Sequence, residues 1–224
     1  MGAVIGDLLP VALGVAVSPV PIIAVILMLL APHAKAASVA FLVGWVLGIT
    51  IVVGLVVLLM GPVDGSDSSD PATWTSVLKI VLGAALVLLG GKEWRSRPRG
   101  DETAELPTWM SAIDSVTPVK ALGLGALLSG ANPKNLALCL SAGLTIGSAG
   151  LSGGDEVAAA VVFVVIASST VAVPVLGYLA AQHRLAQPLD ELKEWLTANN
   201  AAVMSVLLLV IGVTIAGKGL AGLG

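Results

Sequence analysis

Charge is what this chain has least of. Of its 224 residues only 11% are Asp, Glu, Lys or Arg, and its mean hydropathy is +1.00, where a soluble domain carries about 25% charged residues. That scarcity excludes a water-soluble enzyme and describes an integral membrane protein; no nucleic-acid partner is expected. Cysteine is nearly absent as well. The single Cys139 excludes an internal disulfide framework and a cysteine-rich metal site. The two histidines, His33 and His183, fall in expected loops, so neither a haem nor a zinc centre is expected, and no other cofactor or metal. The first residues hold no basic residue before the apolar run and carry Asp7 instead, so no cleavable signal peptide is expected there. Gly2 lacks the Ser or Thr at position 6 that myristoylation needs. No Asp or Glu lies deep within an apolar run, and no His does, which removes the usual acids and bases of an intramembrane enzyme. Gly90-Gly91-Lys92 lacks the rest of a phosphate-binding loop, so ATP hydrolysis is not expected.

Uncharged runs are what the chain has in abundance. Residues 8–32, 36–63, 135–154, 157–182 and 195–217 each match or exceed the roughly 20 residues a spanning helix needs. Two less clean runs are 74–91, with Lys79, and 119–147, with Lys134. Together they predict six transmembrane helices. With both termini outside, cytoplasmic loops hold Lys35, Lys92, Arg95, Arg97, Arg99, Lys120, Arg184 and Lys193, eight of the 11 basic residues. The opposite segments hold Asp7, Asp64, Asp67, Asp70, Asp155 and Glu156. The positive-inside rule therefore places both termini outside a plasma (inner) membrane. Trp74, Trp94, Trp109 and Trp195 fall near span ends, where an aromatic belt expects them. The 64–70 segment reads as a solvated loop, and a short interfacial helix is expected near 109–116, with Trp109, Met110 and Ile113 against the headgroups.

Two proline breaks interrupt this apolar chain at matching places. Ser18-Pro19-Val20-Pro21 and Asn132-Pro133-Lys134-Asn135 put Pro19 and Pro133 114 residues apart. The third helices of the two halves end alike, in Gly90-Gly91-Lys92 and Gly217-Lys218. Three spans per half force opposite orientations, so the expected fold is an all-α inverted repeat. Residues 1–91 form the first unit, 92–117 a cytoplasmic linker and 118–224 the second unit. In such folds paired broken helices mark the substrate site, because unwound backbone leaves polar groups free at membrane depth.

Lys134 is the charge that lies well inside a span. A start near Val119 puts it roughly 22 Å along the helix. A buried ammonium costs several kcal/mol unless paired, and no carboxylate of the chain is placed to pair it. A water-filled cavity or an anionic group of the substrate would complete it: a phosphate, sulfate or carboxylate. A later start of the span, with Lys134 at the interface, is the alternative, and proton exchange by Lys134 is a further one. Pro133 frees a carbonyl near Ser129, and Ser129 and Gly130 are small enough for a ligand to approach closely, which makes Ser129 a further candidate binding residue. Asn132 is a competent N-cap for a half-helix beginning at Pro133, whose positive end would reinforce an anion site with Asn135 beside it. Ser18 takes the same position before Pro19, and Pro21 removes a second donor; a plain packing kink explains that break equally well. Ser168, Ser169 and Thr170, mid-span, either line the cavity or bond back to their own helix. Gly44 with Gly48, and Gly143 with Gly147, are spaced for close helix packing.

At Ser-Pro-Val-Pro and at Ser129-Gly130-Ala131-Asn132-Pro133-Lys134-Asn135-Leu136, the chain resembles the LysE exporter superfamily. Its members are small six-helix carriers with an Asn-Pro-Lys motif in the second repeat. Within it the chain looks most like the GAP/Sap group, the peptidoglycolipid- and sulfolipid-addressing proteins of actinobacteria. The resemblance implies outward movement of an anionic cell-envelope glycolipid. It marks Asn132, Pro133, Lys134, Asn135, Ser18, Pro19 and Pro21 as site residues. The absence of a carboxylate pair inside the spans departs from the cation-exporting branches. Two other functions stay open, an exporter of a small zwitterion such as an amino acid and a non-transporting assembly factor for lipid export. A homodimer and an association with lipid-export machinery stay open too.

Overall fold

A computed structural model describes residues 1–31, 34–60, 70–98, 110, 113 and 116–223. Its helices are α1 (Gly2–Ala16), α2 (Pro19–Leu30), α3 (Ala34–Met60), α4 (Asp70–Arg95), α5 (Pro118–Gly130) and α6 (Pro133–Gly147). A last helical stretch, Gly153–Ala221, is broken at Ala181, which leaves helical geometry at φ −145° and ψ 48°. Its two limbs are α7 (Gly153–Ala181) and α8 (Leu185–Ala221). No strand occurs among the described residues. Four helices, α3, the 73–95 part of α4, α7 and α8, are long and apolar enough to cross a membrane; α1 and α2 add a fifth if their bent pair is one span. α5 and α6, at 13 and 15 residues, are each too short to cross alone.

Both expected breaks are present. α1 stops at Ala16 and α2 restarts at Pro19, bent by 53°. α5 stops at Gly130 and α6 restarts at Pro133. Proline suits the first turn of a helix, whose N–H groups have no intrahelical acceptor, and it cannot sit further in without loss.

Small residues decide which helices touch. A β-carbon on Gly44 would stand 1.9 Å from the Leu122 carbonyl oxygen, and one on Gly125 would stand 2.2 Å from that of Phe41. No other residue fits at either place. Gly48 meets Ala126 and Ser129, and Gly143 and Gly147 of α6 meet Val56 and Met60. α3 therefore runs in the same direction as the broken α5–α6 pair along its whole length. α4 runs antiparallel to α8, with Gly83 against Gly212 and Ala216, Gly90 against Leu208, and Ile80 against Gly219.

Several expectations need correction. The sixth apolar helix was expected from Trp195, but α8 begins ten residues earlier, at Leu185. Its charged first turns are amphipathic, with Leu189 and Leu196 buried. Their polar side is stitched by the Lys193–Asp190 ion pair and by Gln187 Nε2 donating to Glu191 at 2.9 Å. His183 falls at the break between the limbs. Met110 and Ile113 are packed into the protein core, not laid against headgroups. Trp109, the 64–69 part of the external loop, His33, and 99–109 of the linker lie outside the described residues.

Candidate substrate site

The first break leaves backbone carbonyls without helical partners. In a continuous helix Gly14 would accept from the Ser18 N–H, but that N–H turns to Ala16 at 2.8 Å. Pro19 and Pro21 have no N–H to give Val15 and Val17. The C-terminal end of α1 is thus a set of free carbonyls with the negative end of a helix dipole behind it. Ser18 occupies the cap position in extended conformation, yet its side chain makes no capping bond, a departure from the expectation for it. Ser18, Pro19 and Pro21 are all buried at this junction.

Lys134 reaches into that junction. Its Nζ donates to the Gly14 carbonyl at 2.8 Å, and the residue is only 3% exposed. No carboxylate pairs with it: the ion pairs among the described residues are Lys193–Asp190 and Lys218–Asp7. An ammonium has three protons to donate, and one has a protein acceptor here. Lys134 is also in the first turn of α6, where the helix dipole repels a cation. The arrangement concentrates positive potential at a buried point and offers it one neutral oxygen in return.

The second break is built the same way. Asn132 caps α6, its side chain accepting from the Lys134 N–H at 3.0 Å. The Asn132 N–H turns to Leu127 at 3.2 Å, which strips Leu128 of its helical partner, and Pro133 strips Ser129. Asn135 Nδ2 then donates to Leu128 at 2.8 Å, while its Oδ1 stays buried with no partner. Ser129 is fully buried, donates to Ala126 in its own helix at 3.2 Å, and packs on Gly48. It stands at a helix contact.

The hydroxyls of α7 divide. Thr170 Oγ1 donates to the Ala16 carbonyl at 2.5 Å, adding a second bond to the oxygen that already accepts from the Ser18 N–H and tying α7 to the first break. Ser169 bonds back to Ile166 at 2.7 Å, and Ser168 is buried without a partner. Ser169 and Thr170 line an open groove of about 360 Å³ with Ile22, Val173, Pro174, Leu192 and Leu196; Ser168 does not. Apart from the two hydroxyls the groove is apolar, and its volume is in the range of ligand pockets, about 300–1,000 Å³. Sequence reasoning missed the groove, because one wall is closed by Leu192 and Leu196 and the early turns of α8 that carry Leu192 had been disguised as loop by their charge. It also missed Gly14, which shows nothing in its own neighbourhood to mark it.

The model of one protein family, Sap, the sulfolipid-1-addressing proteins, matches residues 8–221. The chain belongs to that family. The match covers both breaks, the groove and every helix but the first turns of α1. Membership together with the apolar helices makes this a multi-pass membrane protein involved in lipid export. Comparison with curated proteins and with solved structures finds no match.

Proposed function

We propose that the protein is a carrier that moves an anionic glycolipid outward across the plasma membrane, binding its charged headgroup at Lys134 and its acyl chains in the α2–α7–α8 groove. One residue carries this reading. Thr170 lines the groove and at the same time holds Ala16, two residues from the Gly14 carbonyl that holds Lys134. A cationic point and an apolar trough therefore share one junction, which is the shape of an amphipathic ligand. A small zwitterion would leave the trough unused.

The headgroup chemistry follows from the donors. Lys134 offers a point charge, and the α6 N-terminus adds its dipole, so a sulfate, phosphate or carboxylate would be held and a neutral sugar would not. Asn135, with an unpartnered buried oxygen, is placed to accept from a sugar hydroxyl. The Gly14 carbonyl keeps the ammonium partly satisfied, and an anionic headgroup would take over that role on binding.

The wider architecture belongs to the same reading. Six spans arranged as two inverted three-helix repeats, 1–91 and 118–224, would place the two breaks opposite one another at the midplane, as in alternating-access carriers. That architecture also underlies the LysE exporter superfamily. The parallel course of α3 with α5–α6 and the antiparallel course of α4 with α8 fit such a repeat with both termini on one side of the membrane, and the excess of basic residues in the opposite loops is what favours the outer side. Homodimerisation or attachment to other lipid-export components is compatible with the broad apolar outer face.

The deciding experiment reconstitutes the protein in proteoliposomes and follows flipping of a fluorescent sulfated glycolipid. Wild-type protein accelerates flipping and Lys134→Ala does not, at equal incorporation. Equal rates with Lys134→Ala would overturn the carrier reading in favour of a non-transporting assembly role.

A further inference from the structure

At the end of the molecule where the chain begins, a second group of charges closes a narrow crevice. Asp7 of α1, Lys79 of α4, Ser141 and Thr145 of α6, and Thr214 and Lys218 of α8 line it, around only about 10 Å³ of free space. Lys218 Nζ donates to the Asp7 carboxylate at 2.8 Å and to its carbonyl at 3.2 Å. Lys79, half-buried, faces the same crevice with no carboxylate to itself; the charges it feels are Asp7 and Lys218. Two cations share one anion, so the crevice keeps a positive excess.

The crevice lies in line with Lys134. Asp7 and Gly14, Lys134 and Ser141, and Ile211 and Lys218 are each seven residues apart. Seven residues are two helical turns, about 10 Å along one face. Three helices thus lead from the buried ammonium to the crevice. Between the two lie Ile211 and Leu138, whose Cδ1 atoms stand 2.3 and 3.1 Å from where a Gly14 β-carbon would be. Ile211 also lines the crevice, so a single apolar layer separates it from the Lys134 acceptor.

We propose that Lys79 and Lys218 form a second anion station, which takes the sulfate- or phosphate-type headgroup once it has passed Ile211 and Leu138, and that the Asp7 carboxylate fills the station between cycles. The proposal rests on the carrier reading and extends it to the outward path. Asp7 presents to Lys218 what a headgroup would present, a charged oxygen at hydrogen-bond distance. Thr145 and Thr214 now donate to Ser141 and Val210 of their own helices, at 2.9 and 2.8 Å. The two lysines, not the hydroxyls, therefore supply the attraction. Release would follow when Asp7 swings back and displaces the headgroup.

The test uses the purified full chain in neutral detergent, with thermal unfolding followed in sodium sulfate and in sodium chloride at equal ionic strength. Asp7→Asn empties the station, so this variant should gain a sulfate-specific rise in unfolding temperature of roughly 3–5 °C that the wild type lacks. The rise should vanish when Lys79→Gln and Lys218→Gln are added and persist when Lys134→Ala is added. A sulfated galactolipid mixed into the micelles should displace the sulfate and abolish the rise, which separates a headgroup site from a site for free anions. No rise in Asp7→Asn, a rise that survives loss of both lysines, one lost with Lys134→Ala, or one the lipid leaves untouched would each overturn the station. Normal flipping by Lys134→Ala with the rise intact would strike the carrier reading and leave the anion site standing.

Discussion

The ammonium nitrogen of Lys134 lies 2.8 Å from the carbonyl oxygen of Gly14, a residue 120 positions away in the chain. Its neighbour Asn135 makes the companion bond, donating to Leu128 at the same 2.8 Å. Gly14 and Leu128 each stand five residues before the proline that restarts the helix, Pro19 in one case and Pro133 in the other. Two adjacent side chains of α6 therefore close equivalent free carbonyls at both breaks. The charged one goes to the other half of the chain and the neutral one to its own. That difference makes Lys134 the group a ligand can recruit, since an anion outbids a neutral carbonyl for an ammonium.

Opposite effects on stability and transport are expected from Lys134→Met. Methionine nearly matches the volume and removes an ammonium buried without a counter-charge, so thermal stability should hold or rise even though Gly14 loses its bond. Flipping of a sulfated lipid should fall at least about tenfold, the equivalent of roughly 1.4 kcal/mol of lost interaction. Lys134→Arg should be intermediate, because a planar fork does not reproduce a point charge. A methionine variant that melts early and still transports would make Lys134 a structural strut.

Asn135→Leu should cost stability where Lys134→Met does not. It leaves the buried Leu128 carbonyl unpaired, for which about 1–3 kcal/mol of stability is expected to go. Unfolding in detergent should show the loss directly. Asn135→Gln, which carries the same amide on a longer stem, should recover only part of it.

The sequence made the breaks legible because proline acts locally: Pro19 and Pro133 end one helix and start another wherever they stand, and Asn132 caps without help from elsewhere. Glycine spacing likewise showed which faces could approach, as Gly44 and Gly48 of α3 bear out by packing against α5. The acceptor for Lys134 was hidden, since Gly14 is made special only by a diverted N–H and by a fold that brings α1 against α6. The early start of α8 was hidden for another reason. Asp190, Glu191, Lys193 and Glu194 look like a loop when charge is counted, although they form one polar side of a helix whose other side holds Leu189 and Leu196. Ser18 misled by analogy with Asn132: same position, same extended backbone, no capping bond.

Close helix approach gives a prediction independent of transport. Gly44→Ala and Gly125→Ala each force a β-carbon to within about 2 Å of a backbone carbonyl on the facing helix, and backbone cannot move aside as a side chain can. Both should lower folded yield and unfolding temperature. Gly54→Ala, on the same α3 with nothing within 4 Å, is the control and should be neutral or slightly stabilising. Equal behaviour of all three would show that α3 and α5 are not packed as described.

The groove can be tested separately from the ammonium. Val173 lines it and is 68% exposed, so Val173→Trp should be accommodated by the fold while filling space meant for an acyl chain. Flipping of a long-chain sulfated lipid should drop several-fold, and a short-chain analogue with the same headgroup should be affected less. Thr170→Val probes the link between groove and break. It removes the hydroxyl held by Ala16, for which membrane interhelical bonds suggest about 0.6–1.7 kcal/mol of stability, and Thr170→Ser should restore it. If Thr170 couples the two regions, its valine variant should slow flipping of long- and short-chain lipids alike, whereas Val173→Trp discriminates between them. Chain-length-independent effects from both variants would show that the groove holds no part of the ligand, and would leave headgroup recognition at Lys134 to stand alone.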